Sequence, residues 1–228
     1  MRLPSISRPL SGAFALGLSL VVAAAWLAHA AALSVSSTDI TQHTRSYGSP
    51  TTCTLTATAD TYVRRDQASS SFGAQTTLDI SSSASATRRT LVQFDLSGCS
   101  PAIPSDAIVS AANVRLTTAG LATTATRSYV LHRATSSLSE TTTWSGQPTV
   151  AGSATWTTSV PVLTAIGTVV TWSAAADVQA FVAGSATNFG WRLADTAEDG
   201  NIVSTVSISF SSREAASNRP QLVITYRP

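Results

Sequence analysis

The chain has 228 residues, a formal net charge of +2, 11% charged and 43% hydrophobic side chains. That balance supports a large core and excludes highly charged disorder. Arg2 and Arg8 lie in an N-terminal export-type segment; without them the 14 basic residues become 12, against 12 acids. The remaining domain is neutral, so a nucleic-acid binder, which needs clustered excess cations, is not expected. Every basic side chain apart from histidine is Arg, and Ser plus Thr make up roughly 30% of the chain. Thr and Val favour strands, and the strong helix formers Glu, Lys and Met are scarce, so the composition predicts an all-β domain.

Arg2 and Arg8 precede an apolar run from Ala13 to Leu27, followed by Ala28-His29-Ala30. A basic start, an apolar middle and small residues at −3 and −1 describe a secretory signal, with cleavage expected after Ala30. The alternative is a retained membrane anchor, since residues 13–33 are just long enough to span a bilayer. Residues 31–52, polar and ending in Gly48-Ser49-Pro50, read as a linker, and residues 53–228 as the folded domain. Cys53 and Cys99 are the only cysteines. In an oxidising compartment they suggest one disulfide; the alternative is two buried thiols. Zinc would need more ligands than His43 and His132 add.

From Cys53 onward, short alternating segments recur between turn residues. Residues 54–63 read as a strand region, 69–74 as a loop and 76–80 as a short strand. In residues 87–96, Val92, Phe94 and Leu96 fall on one face; Arg89, Leu91, Gln93 and Asp95 fall on the other. Further strands are expected over 109–117, 128–133, 168–172, 189–193, 206–211 and 221–226. One helix is expected over 174–182, with Ser173 as its N-cap and Gly184 as its stop. Nine or ten strands at hairpin-like spacing predict a β-sandwich of jelly-roll type with one short helix.

The chain lacks the G-x-S-x-G nucleophile pattern, and its acids are mostly spaced singly. Tyr129, His132 and Arg133 share a strand, as a lyase would want, but Tyr129 and His132 point to opposite faces. No catalytic residue is assigned. The one acidic cluster, Asp195 to Asn201, offers oxygens to Ca2+ but lacks EF-hand spacing; a solvated acidic turn is the simpler reading, and no cofactor is expected. Trp172 and Trp191 read as core, while Trp144 and Trp156 lie near loops, where a flat ring can stack on a sugar. Arg89, Arg115 and Arg192 sit on polar strand faces, Arg133 near a strand end, and Gln93 beside them. If these strands are neighbours, their guanidinium groups form a surface for carboxylates; otherwise they are ordinary solvent-facing arginines with Asp partners.

Residues 57–98 (ATADTYVRRDQASSSFGAQTTLDISSSASATRRTLVQFDLSG) resemble the opening of the DNRLRE-type domains, also classed as carbohydrate-binding module family 96. The segments SLSETTTWSGQP (137–148), VQAFVAGSATNFGWRL (178–193) and FSSREAASNRPQLVITY (210–226) continue the resemblance in order. Asp60, Arg89, Phe94, Asp95, Glu140, Trp144, Gly190, Trp191, Arg213 and Glu214 match its motif positions. The GCSPAIP segment departs from the usual FDLSSIP run. The resemblance implies a secreted, extracellular, non-catalytic jelly-roll sandwich that binds polysaccharide, with acidic polysaccharides such as alginate among the family's ligands. The expected ligand-binding residues are Arg89, Arg115, Arg192, Arg133 and Gln93. The protein is expected to act as a monomer, with no nucleic-acid partner and no membrane contact after signal removal. A structural or adhesive surface protein is the first alternative, and a small polysaccharide lyase the second.

Overall fold

The computed structural model describes residues 48–83, 85–120, 125–198 and 206–228. The expected signal and most of the expected linker lie outside them. Among the described residues the alternation forms eleven strands: β1 (Thr51–Thr56), β2 (Ala59–Arg64), β3 (Thr77–Ser81), β4 (Arg88–Gln93), β5 (Ile108–Thr117), β6 (Arg127–Arg133), β7 (Trp156–Val160), β8 (Val169–Ser173), β9 (Trp191–Asp195), β10 (Ser207–Ser211) and β11 (Gln221–Arg227). One α-helix, α1 (Ala175–Val182), follows β8. Two antiparallel sheets result. The smaller runs β1-β11-β5-β8; the larger runs β10-β3-β4-β9-β6-β7, with β2 paired to β4. The all-β sandwich expected from the sequence is the observed fold.

Inward residues of both sheets form one core. Leu55, Val114, Leu116, Trp172, Leu222 and Ile224 come from the smaller sheet; Ile80, Val92, Leu131, Trp191, Leu193 and Phe210 come from the larger. Trp172 and Trp191 are fully buried, as their alternating runs imply. The Trp172 indole N–H donates across the sandwich to the Tyr129 carbonyl at 2.9 Å, so the polar end of this large ring is satisfied inside the core. Cys53 on β1 and Cys99, just after β4, form the disulfide, closing a 46-residue separation.

Three local readings change. Residues 54–63 are not one strand: β1 and β2 lie in different sheets. The chain crosses at Ala57 and Thr58, where the Ala57 N–H donates to the Pro220 carbonyl and the Thr58 N–H to that of Gln93. Ser173 does not cap the helix. β8 continues through Ser173, paired with Asn113, and α1 starts after Ala174 with no side-chain cap. The Gln179 side chain instead pins α1 to the lead-in of β5, accepting from the Val109 N–H and donating to the Ala107 carbonyl. Gly184 ends the helix as expected, with φ +69°. The third change is β7, which was not anticipated.

Candidate functional site

The larger sheet is covered on both sides around β4. Val92 faces the main core, while Leu91 packs outward with Val63 and Leu138 in a second cluster, against which Trp144 rests. Directly opposed residues share a face. Leu91 opposes Arg192 on β9, and Arg192 opposes His132 on β6, so these three form a row across the outer face. Arg89 and Gln93 flank Leu91 on the same face, two residues to either side.

Each group on this face has a defined setting. The Arg89 Nε donates to both Glu198 carboxylate oxygens at 2.8 and 3.0 Å, its Nη2 to Glu198 Oε2 at 2.6 Å, and its Nη1 to Gln147 Oε1 at 2.7 Å. Its guanidinium also lies 4.5 Å from the Trp144 ring centroid. The Gln93 amide donates to the Asn188 carbonyl at 3.2 Å. Asn188 in turn donates to the Phe94 carbonyl and accepts from the Gly190 N–H. The Arg192 Nε is buried with no hydrogen-bond partner. Burial holds the Arg192 guanidinium below its usual pKa, and the charge of Arg89 adds to the effect. The His132 Nδ1–H donates to the Ala151 carbonyl oxygen at 3.2 Å.

Three of the five expected ligand-binding residues, Arg89, Gln93 and Arg192, therefore share one face. Two do not join them. Arg115 is on β5 in the other sheet, opposed by Gln221 and Thr171. Arg133 follows His132 and so turns to the opposite side of β6, where its Nε lies 3.3 Å from the Asp177 carboxylate of α1. Sequence reasoning missed Glu198 and Gln147 as the holders of Arg89. It identified Trp144 and Trp156, which the structure separates in character. Trp144 is packed beneath Arg89, whereas Trp156 on β7 is 51% exposed.

Tyr129 and His132 do not form a shared base site. The Tyr129 ring is buried in the core, its hydroxyl has no partner, and burial raises its pKa above the usual phenol value, with Asp195 adding to the rise. The Asp195–Asn201 segment is not an open set of cation ligands in its described part. Asp195 takes a two-point ion pair from Arg127, with its oxygens 2.6 and 2.9 Å from the guanidinium, and Glu198 belongs to Arg89. Asp199 to Asn201 lie outside the described residues.

A second acidic group lies elsewhere. Asp60 on β2, Glu140 and Glu214 bring one carboxylate oxygen each within 4.8 Å of one another. Arg213 lies among them: its N–H donates to Asp60 Oδ2 and its Nη1 to Glu140 Oε1, both at 2.8 Å. Its Nε is 3.4 Å from Glu214, and Nη1 also donates to the Thr58 carbonyl, the local pairing that the Arg213-Glu214 sequence suggests. Burial pushes the Asp60 carboxyl up to about 7. Glu214 and Glu140 reinforce the rise; the Arg213 N–H and guanidinium oppose it.

The outer face of the larger sheet thus brings guanidinium, imidazole and amide groups together beside a packed tryptophan. The model of carbohydrate-binding module family 96 matches residues 51–226, and the chain belongs to that family. The resemblance carried by the ADTYV, FDL, ETTTW and SSREA segments is borne out by this match. Comparison with the curated proteins finds no match.

Proposed function

We propose that the chain is a secreted, non-catalytic module that binds an acidic polysaccharide of the alginate type on the outer face of the larger sheet. The observation that carries this reading is Arg192. Its Nε is buried without a partner, and no salt bridge to it is found among the described residues. Two guanidinium groups, Arg89 and Arg192, share the vicinity of one carboxylate, Glu198. A uronate carboxylate supplies the missing anion, in the two-point geometry a guanidinium favours. Arg89 and Gln93 border the ligand, Arg89 being held in place by Glu198, Gln147 and Trp144.

The N-terminal signal pattern and the Cys53–Cys99 disulfide support export to an oxidising compartment. The neutral charge balance of the segment after Ala30 supports a module that works without nucleic acid, and we take it to act as a monomer.

Calorimetric titration with polyuronate fragments tests the proposal. A charge-assisted contact contributes about 1.5–3 kcal/mol, so Arg192→Gln weakens binding by roughly 10- to 100-fold. Arg115→Ala, on the other sheet, leaves affinity unchanged. Rising salt weakens binding to the wild type. Preference for neutral glycans without salt dependence would overturn the proposal and move the site to the exposed Trp156.

A further inference from the structure

We propose that Asp60, Glu140 and Glu214 form a calcium site that ties three separate segments of the domain together. Asp60 Oδ2 accepts the Arg213 N–H, and Glu140 Oε1 accepts both the Asp60 N–H at 2.9 Å and the Arg213 guanidinium. These bonds orient the two carboxylates and leave Asp60 Oδ1 and Glu140 Oε2 over. Both remaining oxygens are buried and neither has a partner. Asp60 itself is 0% exposed. A buried carboxylate oxygen without a donor or cation is costly.

The spacing suits an ion. Oxygens that share a calcium at about 2.4 Å can be at most about 4.8 Å apart. The three carboxylates meet that limit. Magnesium demands a near-ideal octahedron and gives up its waters reluctantly, whereas calcium accepts an irregular set of carboxylate and carbonyl oxygens, so calcium is the ion assigned. Charge agrees: three carboxylates face the single guanidinium of Arg213, leaving two negative charges for a divalent cation to neutralise. A carbonyl oxygen is also near. Gly73 approaches so closely that a Cβ there would lie 2.3 Å from the Glu140 carbonyl oxygen and 2.4 Å from Glu140 Oε2. The Glu140 and Glu214 side chains are 31% and 27% exposed, which gives the ion a way in.

The test uses the full purified chain and no glycan, so its outcome is independent of the polysaccharide reading. Protein stripped with a chelator is titrated calorimetrically with calcium chloride and, separately, with magnesium chloride; melting is followed in parallel. One calcium binds per chain, with an affinity in the micromolar to millimolar range, and raises the melting midpoint by several degrees. Magnesium does so at least tenfold more weakly. Glu214→Gln, at the exposed rim, retains the melting midpoint of the stripped wild type and loses at least tenfold in calcium affinity. Asp60→Asn abolishes the calcium-dependent rise. No heat and no change of midpoint with millimolar calcium would overturn the site and leave the carboxylates sharing a proton. An equal response to magnesium would overturn the assignment to calcium.

Discussion

Arg89 lies on the proposed binding face, yet every nitrogen of its guanidinium is engaged by the protein itself. Its ion pair with Glu198 is largely shielded, at 16% and 13% exposure, so the partners are worth more together than a surface pair. Glu198→Gln is therefore expected to cost about 2–3 kcal/mol, measured by urea unfolding. A loss below a few tenths would mean that Gln147 and Trp144 alone hold Arg89. Alternation made it legible that Arg89 faces away from the core. Its partner was not legible, because Glu198 is 109 residues further on and stands in an acidic run that reads as a solvated turn. Glu140 and Asp60, 80 residues apart, escape sequence reading for the same reason.

At the scale of elements, β4 is the strand that both faces of the larger sheet depend on. It approaches the start of β9 so closely that a Cβ on Gly190 would lie 2.2 Å from the Val92 carbonyl oxygen, and Gly190 has φ +80°. Gly190→Ala meets both a left-handed backbone and a backbone collision, and is expected to cost about 3 kcal/mol or more in thermal or urea unfolding. Strands that alternate cleanly, such as Leu222, Ile224 and Tyr226 on β11, were legible because one face is buried. β7 was not. Its residues are mostly polar or exposed, and Trp156 at its start opposes Leu131 yet remains half in solvent, so the strand carries almost no period-two signal. The join between β1 and β2 was also hidden, since alternation continues through the point where the backbone changes sheets.

For the whole molecule, the disulfide joins β1 at the edge of the smaller sheet to the segment leaving β4 of the larger. Closing a loop of this length removes unfolded-state freedom equivalent to about 4 kcal/mol. Chemical denaturation with and without reductant is expected to show a loss of that order, and free thiols in the unfolded, unreduced protein would refute the pairing in solution. Export belongs to the same scale. Mass measurement of the secreted protein is expected to place the N-terminus at Ala31, whereas an intact Met1 in membrane fractions would show that the leader is kept.

The position of the last strand sets the order in which this fold can be completed. β11 lies between β1 and β5, pairing with residues 51–56 on one side and 108–115 on the other. The Gly48 N–H donates to the carbonyl of Pro228, closing the seam at its end. While the chain is being made, the smaller sheet therefore lacks its middle. Among the described residues β1 has no other strand partner and must wait for residues more than 160 positions away. Folding of such a long-range sheet is slow and cannot proceed from the first residue outward. A chain stopped at Pro220 would expose two unpaired strand edges rather than a slightly shortened domain. Limited proteolysis of that truncation is expected to degrade the whole domain, not only its end.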